Sequence, residues 1–252
     1  MTSSPTSTLD EIVSDSEQEP SGLERFPVSV REVIDADDNG VDLARAERAV
    51  ADLLVALGVD LTDESLAGTP GRVARAYAEM LSPRGFDLTT FPNDEHYDEL
   101  VVTRDIPFHS LCEHHLLPFV GVAHVGYLPG ERILTLSKLA RVVEHFARRL
   151  QVQGRLTSQV ANWLNEQLAP KGVGVAIEAE HLCMSLRGVR ANGARTVTSA
   201  LHGLVRHDER TRAEFLALVR SAVYAMNGYI THRVAARQAL LSSIELRRAD
   251  HD

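Results

Sequence analysis

The stretch "ELVVTRDIPFHSLCEHHLLPFVGVAHVGYLP", residues 99–129, decides the architecture. Two extended runs, "ELVVTRDIPF" and "VGVAHVGYLP", are separated by a polar knot, "SLCEHH", and a third run, "RILTL", follows the break at Pro129 and Gly130. Neighbouring strands joined by such short connections predict an antiparallel sheet, because parallel neighbours need a long crossover between them.

Working outward, "SKLARVVEHFARRL" (137–150) sets Leu139, Val142, Val143, Phe146 and Leu150 along one face, with Ser137 read as its N-cap. "QVQGR" (151–155) interrupts. Thr157 is read as the cap of a further helix through Val160, Leu164 and Leu168. "GVGVAIEAEHLCMSLRG" (172–188) and "TVTSALHG" (196–203) read as two more strands, and a last helix from Asp208 is expected to bury Phe215, Leu218 and Val219.

Upstream, Leu43, Val50, Leu53, Leu54 and Leu57 recur at helical spacing. In "TPGRVARAYAEML" (69–81), Thr69 suits the N-cap and Pro70 the first helical position. Val73, Tyr77, Met80 and Leu81 share a face that leaves Arg72 and Arg75 outside it. The predicted class is α+β, an antiparallel sheet backed by helices and preceded by an N-terminal helical region. We divide the chain into a disordered acidic tail (1–26), a helical region (27–97), a main domain that carries the sheet (98–222) and a C-terminal extension (223–252) to which the sequence assigns no role.

Acidic residues outnumber basic ones 35 to 26, which argues against a nucleic-acid binder. No run of about 18 apolar residues suggests a membrane span, and the polar N-terminus lacks the apolar stretch of a signal peptide. A cytoplasmic protein is therefore expected. In a reducing compartment two cysteines are more often ligands or core residues than a disulfide.

The second cysteine, Cys183, follows a strand pattern in which Val173, Val175, Ile177 and Ala179 share a face with His181 and Cys183. Cys112 and His115 can reach one ion from a turn, and Cys183 can complete a three-ligand set. Two thiolates and an imidazole suit zinc and leave a fourth position for water. A closed structural site needs another protein ligand, which His114 or His181 can supply. In the plainer alternative, both cysteines are small buried residues. Read from the residues alone, the pattern points to zinc, catalytic or structural.

The same motifs carry a resemblance. "SLCEHHLLPFVGVAHVGYLPGERILTLSKLARVVEHFARRLQVQ", "RLTSQVANWL", "GVGVAIEAEHLCMSLRGV" and "TVTSALHG" closely resemble the GTP cyclohydrolase I family, from about Val101 to Leu218, with "TPGRVARAYAEML" extending the match upstream. The resemblance implies a tunnelling fold and a toroidal homo-oligomer, usually a decamer, with active sites where subunits meet. It implies conversion of GTP and water to 7,8-dihydroneopterin triphosphate and formate. It also implies zinc on Cys112, His115 and Cys183, with His114 and His181 handling protons. Arg72, Arg75, Ser137, Lys138, Arg141 and Arg187 would hold the triphosphate, and Gln153 and position 154 would line the purine pocket. Opening a purine imidazole ring requires water at C8, and zinc makes water a good nucleophile near neutral pH.

One position departs from the family. Gly154 stands where the family's usual "QVQER" has a glutamate that accepts hydrogen bonds from the guanine N1–H and 2-amino group. Hydrogen bonds to a charged group contribute roughly 1.5–3 kcal/mol each. Losing such a pair would lower GTP turnover by about two or more orders of magnitude. Three readings follow: a GTP cyclohydrolase I that tolerates the glycine; a diverged enzyme that acts on another purine nucleotide or stops after ring opening; and a catalytically silent subunit that binds a nucleotide or a partner. A smaller departure is Thr135, where the family commonly has glycine.

Overall fold

The computed structural model describes residues 30–34 and 40–220. The acidic tail (1–26) and the C-terminal extension (223–252) lie outside the described residues.

The main sheet has five strands. Its centre is the expected hairpin, β3 (Val101–Cys112) and β4 (Pro118–Leu128), paired antiparallel from Val101↔Tyr127 to Leu111↔Pro118. Next to β4 lies β7 (Gly172–His181), and next to β7 lies β8 (Thr196–His202), both antiparallel to their neighbours. At the other edge the two-residue β6 (Leu150–Gln151) runs parallel to the end of β3. The α+β expectation holds, with this one parallel pair added.

Alternation fixes which face of β7 is covered. Val173, Val175, Ile177 and Ala179 are fully buried, together with Phe119, Ala123 and Val125 of β4. They pack in one core with Leu139, Val142 and Val143 of α3 (Leu136–Ala147) and with Leu156, Val160 and Leu164 of α4 (Gln153–Leu168). On the opposite face, Phe215 of the helical stretch 209–220 is fully buried in a second cluster with Ala176 and Val205. The glycines make that approach possible: a Cβ on Gly174 would sit 2.8 Å from the Phe215 ring.

The region upstream of residue 98 is not wholly helical. Besides α1 (Leu43–Ala56) and α2 (Thr69–Met80), it contributes β1 (Val30–Ile34) and β2 (Phe86–Pro92). With β5 (Arg132–Leu134) these form a separate sheet of order β1-β2-β5. Pro92, which cannot donate to a ladder, ends β2.

Three expected caps are displaced. Gly68, not Thr69, is the N-cap of α2, and the Thr69 hydroxyl accepts from Arg72. α3 starts after Thr135, so Ser137 is inside its first turn. α4 starts at Gln153, so "QVQGR" runs into the helix, and Thr157 donates back to the Gln153 carbonyl at 2.8 Å. Leu218, expected to be buried, is 38% exposed because it falls off the stripe of Phe215 and Val219.

Candidate metal centre and active site

β3 ends at Cys112, and the chain then turns sharply: the Cys112 carbonyl accepts from the Leu116 N–H at 2.9 Å, and the Cys112 N–H donates to the Leu117 carbonyl at 2.9 Å. The turn projects His114 and His115, whose Nδ1 atoms lie 3.9 and 3.8 Å from Cys112 Sγ. Cys183 arrives from β7. The sequence reading kept it on the strand, but the strand stops at His181 and Cys183 sits in the short helix α5 (Leu182–Ser185).

The displacement does not separate the ligands. The ligand atoms of Cys112, His115 and Cys183 all lie within 4.8 Å of one another. Burial pushes the Cys183 thiol up from its ordinary pKa, and the adjacent Cys112 adds to the effect, while Arg187 pulls it down. A Cys183 thiol that resists ionising beside a second sulfur is a poor fit to an anionic cluster, and a cation between the two sulfurs removes that conflict. The donor set therefore fits a metal held by two thiolates and one imidazole.

The two other histidines flank the cluster from different elements. His181, at the end of β7, stacks on the buried Phe119 ring at 4.7 Å with 7° between planes. Burial lowers its pKa. Its Nε2 lies 2.8 Å from Gln153 Oε1. Gln153 is only 3% exposed, and its amide nitrogen donates to the Ile177 and Thr196 carbonyls and to Thr198 Oγ1. That amide has no N–H left for an incoming ligand.

His114 is 64% exposed, with Glu113 Oε1 3.8 Å from its Nε2. Glu113 in turn accepts a two-pronged contact from Arg155 at 2.6 and 3.1 Å, and the guanidinium holds its carboxyl below the ordinary range. Neither Glu113 nor Arg155 was expected as a site residue. Both stand in quoted motifs, but nothing local says that residues 42 positions apart will pair.

Between Gln153 and Arg155, Gly154 occupies the first turn of α4. It has no positive φ, and a Cβ placed on it would meet nothing within 4 Å. Within one chain the glycine answers to no turn and no steric demand, and a Cβ is accommodated there.

The expected triphosphate residues divide. Arg187 is near enough to Cys183 to influence its ionisation. α2 lies beside the Cys112 turn, since Tyr77 Oη donates to the Leu116 carbonyl at 3.0 Å. Arg72 and Arg75 are exposed on this helix, and Arg72 bonds to Thr69 and Ser65. Ser137, Lys138 and Arg141 are on the first turns of α3. That end lies near the opposite end of β3 from Cys112: Tyr127, which pairs with Val101, accepts at its hydroxyl oxygen from the Leu134 N–H at 3.0 Å. Among the described residues no hydrogen bond or ion pair joins these three to the cluster.

Comparison with known proteins identifies the family. The family model described as GTP cyclohydrolase I matches residues 46–220. A GTP cyclohydrolase 1 of Thermoanaerobacter pseudethanolicus is 51% identical over 186 residues, covering 72% of this chain and 98% of that protein. One from Thermobifida fusca is 53% identical over 185 residues, covering 71% and 89%. One from Aquifex aeolicus is 51% identical over 180 residues, covering 71% and 98%. With a family match over most of its length and relatives at half identity, the chain belongs to the GTP cyclohydrolase I family.

Proposed function

We propose that this protein hydrolyses GTP to 7,8-dihydroneopterin triphosphate and formate, beginning with imidazole-ring opening at C8. The observation that carries the reading is the convergence of Cys112, His115 and Cys183 with two further imidazoles, His114 and His181, beside them. Zinc is the ion we assign to the cluster, and when bound it supplies a water that is acidic enough to add to a purine near neutral pH.

The chain's own residues supply the rest. His181 and His114 move protons, since ring opening and the later sugar rearrangement both need groups that donate and accept near pH 7. The stack on Phe119 fixes the plane of His181. Arg187 and the α2 arginines, Arg72 and Arg75, hold the triphosphate by charge-assisted hydrogen bonds. Ser137, Lys138 and Arg141 of α3 contribute from another copy of the chain, which is why we infer a homo-oligomer, in line with a toroidal decamer. Among the described residues no helix is long and apolar enough to cross a membrane.

Gly154 supports a second reading: a different purine nucleotide, or a reaction that stops after ring opening. The open space at this position contains no carboxylate to read a guanine edge. The test is to incubate zinc-loaded protein with GTP and follow formate release and pterin fluorescence, with Gly154→Glu beside it. Both products from wild type at a steady rate establish the GTP reaction. Both products from the variant alone favour the second reading, and formate without pterin places the stop after ring opening. Neither product from either protein, with any purine nucleotide, overturns the enzyme reading.

A further inference from the structure

We propose that Gln153 is a positioning residue that locks His181 in its Nε2–H tautomer, so that the ring works on its substrate through Nδ1. The inference rests on the reading of His181 as a proton carrier, and it gives Gln153 a role other than the substrate contact implied by resemblance.

The argument starts at the buried amide. Gln153 Nε2 lies 3.1 Å from the Ile177 carbonyl, 2.9 Å from the Thr196 carbonyl and 3.2 Å from Thr198 Oγ1. The two carbonyls only accept. Turning the amide over would set its oxygen against both of them, a conflict that a side chain only 3% exposed cannot relieve with solvent. The amide orientation is therefore determined by β7 and β8.

Gln153 Oε1 then faces His181 Nε2 at 2.8 Å. An amide oxygen accepts and cannot donate, so Nε2 must carry a hydrogen. A neutral imidazole has one N–H, so its lone pair is on Nδ1. Among the described residues, Nδ1 has no protein hydrogen-bond partner. Phe119 fixes the ring plane, Gln153 fixes the proton, and the atom left to exchange protons with a ligand is determined.

The surrounding bonds reinforce this. The Gln153 carbonyl accepts from Thr157 Oγ1 at 2.8 Å, and that hydroxyl is 2.6 Å from Thr198 Oγ1. One network thus joins α4 to β8 beneath the ring, and each of its members has a partner.

The experiment uses the full-length, zinc-loaded protein and two readouts. The first is steady-state turnover of GTP by Gln153→Leu, which removes the acceptor at nearly constant volume. We expect kcat to fall roughly 10- to 100-fold, part of the range that a placed acid–base group contributes, with KM within about threefold of wild type and metal content unchanged. A rise in KM with kcat intact means that Gln153 contacts substrate and overturns the proposal, as does unchanged kinetics. The second readout is the 15N spectrum of histidine-labelled wild type, with the His181 ring identified by comparison with His181→Gln. The expected pattern is a protonated Nε2 and an unprotonated Nδ1, and the reverse overturns the proposal even if Gln153→Leu fails to fold. A wild type inactive on GTP sinks the functional reading instead, and the ring spectrum still decides the tautomer.

Discussion

The end of β7 with α5 brings one thiol and one imidazole to the site, the turn after β3 brings one thiol and two imidazoles, and the two sides hold them by different means. At β7, His181 lies flat on a fully buried phenyl ring and bonds to a buried amide. In the turn, His114 is 64% exposed, and the carboxylate beside it is held by an exposed arginine. Buried hydrogen bonds keep their geometry whatever the salt concentration, whereas exposed ion pairs are screened. At the imidazoles, one half of the site is preorganised by the core and the other is exposed.

The comparison can be broken first at the thiols. Cys112→Ser and Cys183→Ser should each abolish stoichiometric metal binding and lower activity by at least about 10³-fold, or ~4 kcal/mol at 1.4 kcal/mol per tenfold. Metal analysis of the purified variants and formate release check this. Full metal occupancy in either serine variant would remove that cysteine from the ligand set.

The imidazoles separate the two halves. His181→Ala and His114→Ala should both lower kcat by roughly 10²-fold or more. Their stabilities should differ. Truncating His181 loses a ring stack of about 0.5–1.5 kcal/mol and leaves Gln153 Oε1 without its partner, so its melting temperature should drop clearly. Truncating exposed His114 should change stability by no more than about 0.5 kcal/mol. Equal melting shifts would mean that the halves are not held as differently as their surroundings indicate.

Much of this contrast could be read from the sequence, and its limits are physical. The sheet face of β7 followed from alternation through Val173, Val175, Ile177 and Ala179, because a period of two is local. Clustered His and Cys residues flagged the metal centre for the same local reason, and Cys112, His115 and Cys183 of that reading do converge in the structure. The helical turn at Cys183 did not follow, because four residues at a strand's end give no periodicity to detect. Neither did the partners that distinguish the two histidines. Gln153 meets His181 across 28 positions, and Arg155 meets Glu113 across 42. Such pairings depend on how α4 is seated on the sheet. Of the cap errors, Ser137 gave way to Thr135 two residues earlier, whereas α2 and α4 start after Gly68 and Val152, which carry no side-chain oxygen to mark the start.

A third histidine sharpens the comparison by lacking what His181 has. His124 on β4 is 3% exposed; its Nδ1 accepts from the Asp105 N–H at 3.2 Å, and its Nε2 has no partner among the described residues. Burial lowers its pKa from the ordinary 6.5, against the opposing pull of Asp105 and Glu178, with Arg104 helping to lower it. The sign follows by linkage. Below about pH 6.5 the unfolded chain takes up a proton at this site while the folded chain resists, so the stability contributed by neutral His124 is lost as pH falls toward the depressed value. Thermal melts at pH 7.5 and pH 5.5 should show a larger drop for wild type than for His124→Leu. Metal release and the other histidines affect both proteins alike, so an equal drop would show that His124 contributes nothing.

The smallest effect is expected at Gly154, which joins the residues that secure the two halves. Glycine within a helix costs about 0.5–1 kcal/mol relative to alanine, mainly through the freedom it gives the unfolded chain. Here the backbone is helical, φ is not positive, and an added methyl meets nothing within 4 Å. Gly154→Ala should therefore raise stability by roughly 0.4–1 kcal/mol, measured as a shift in the denaturation midpoint at unchanged slope. It adds no polar atom, so turnover should match wild type, in contrast to Gly154→Glu. If Gly154→Ala destabilises the protein, something occupies the space beside α4 in the assembled protein, and the same obstacle would face a glutamate at that position.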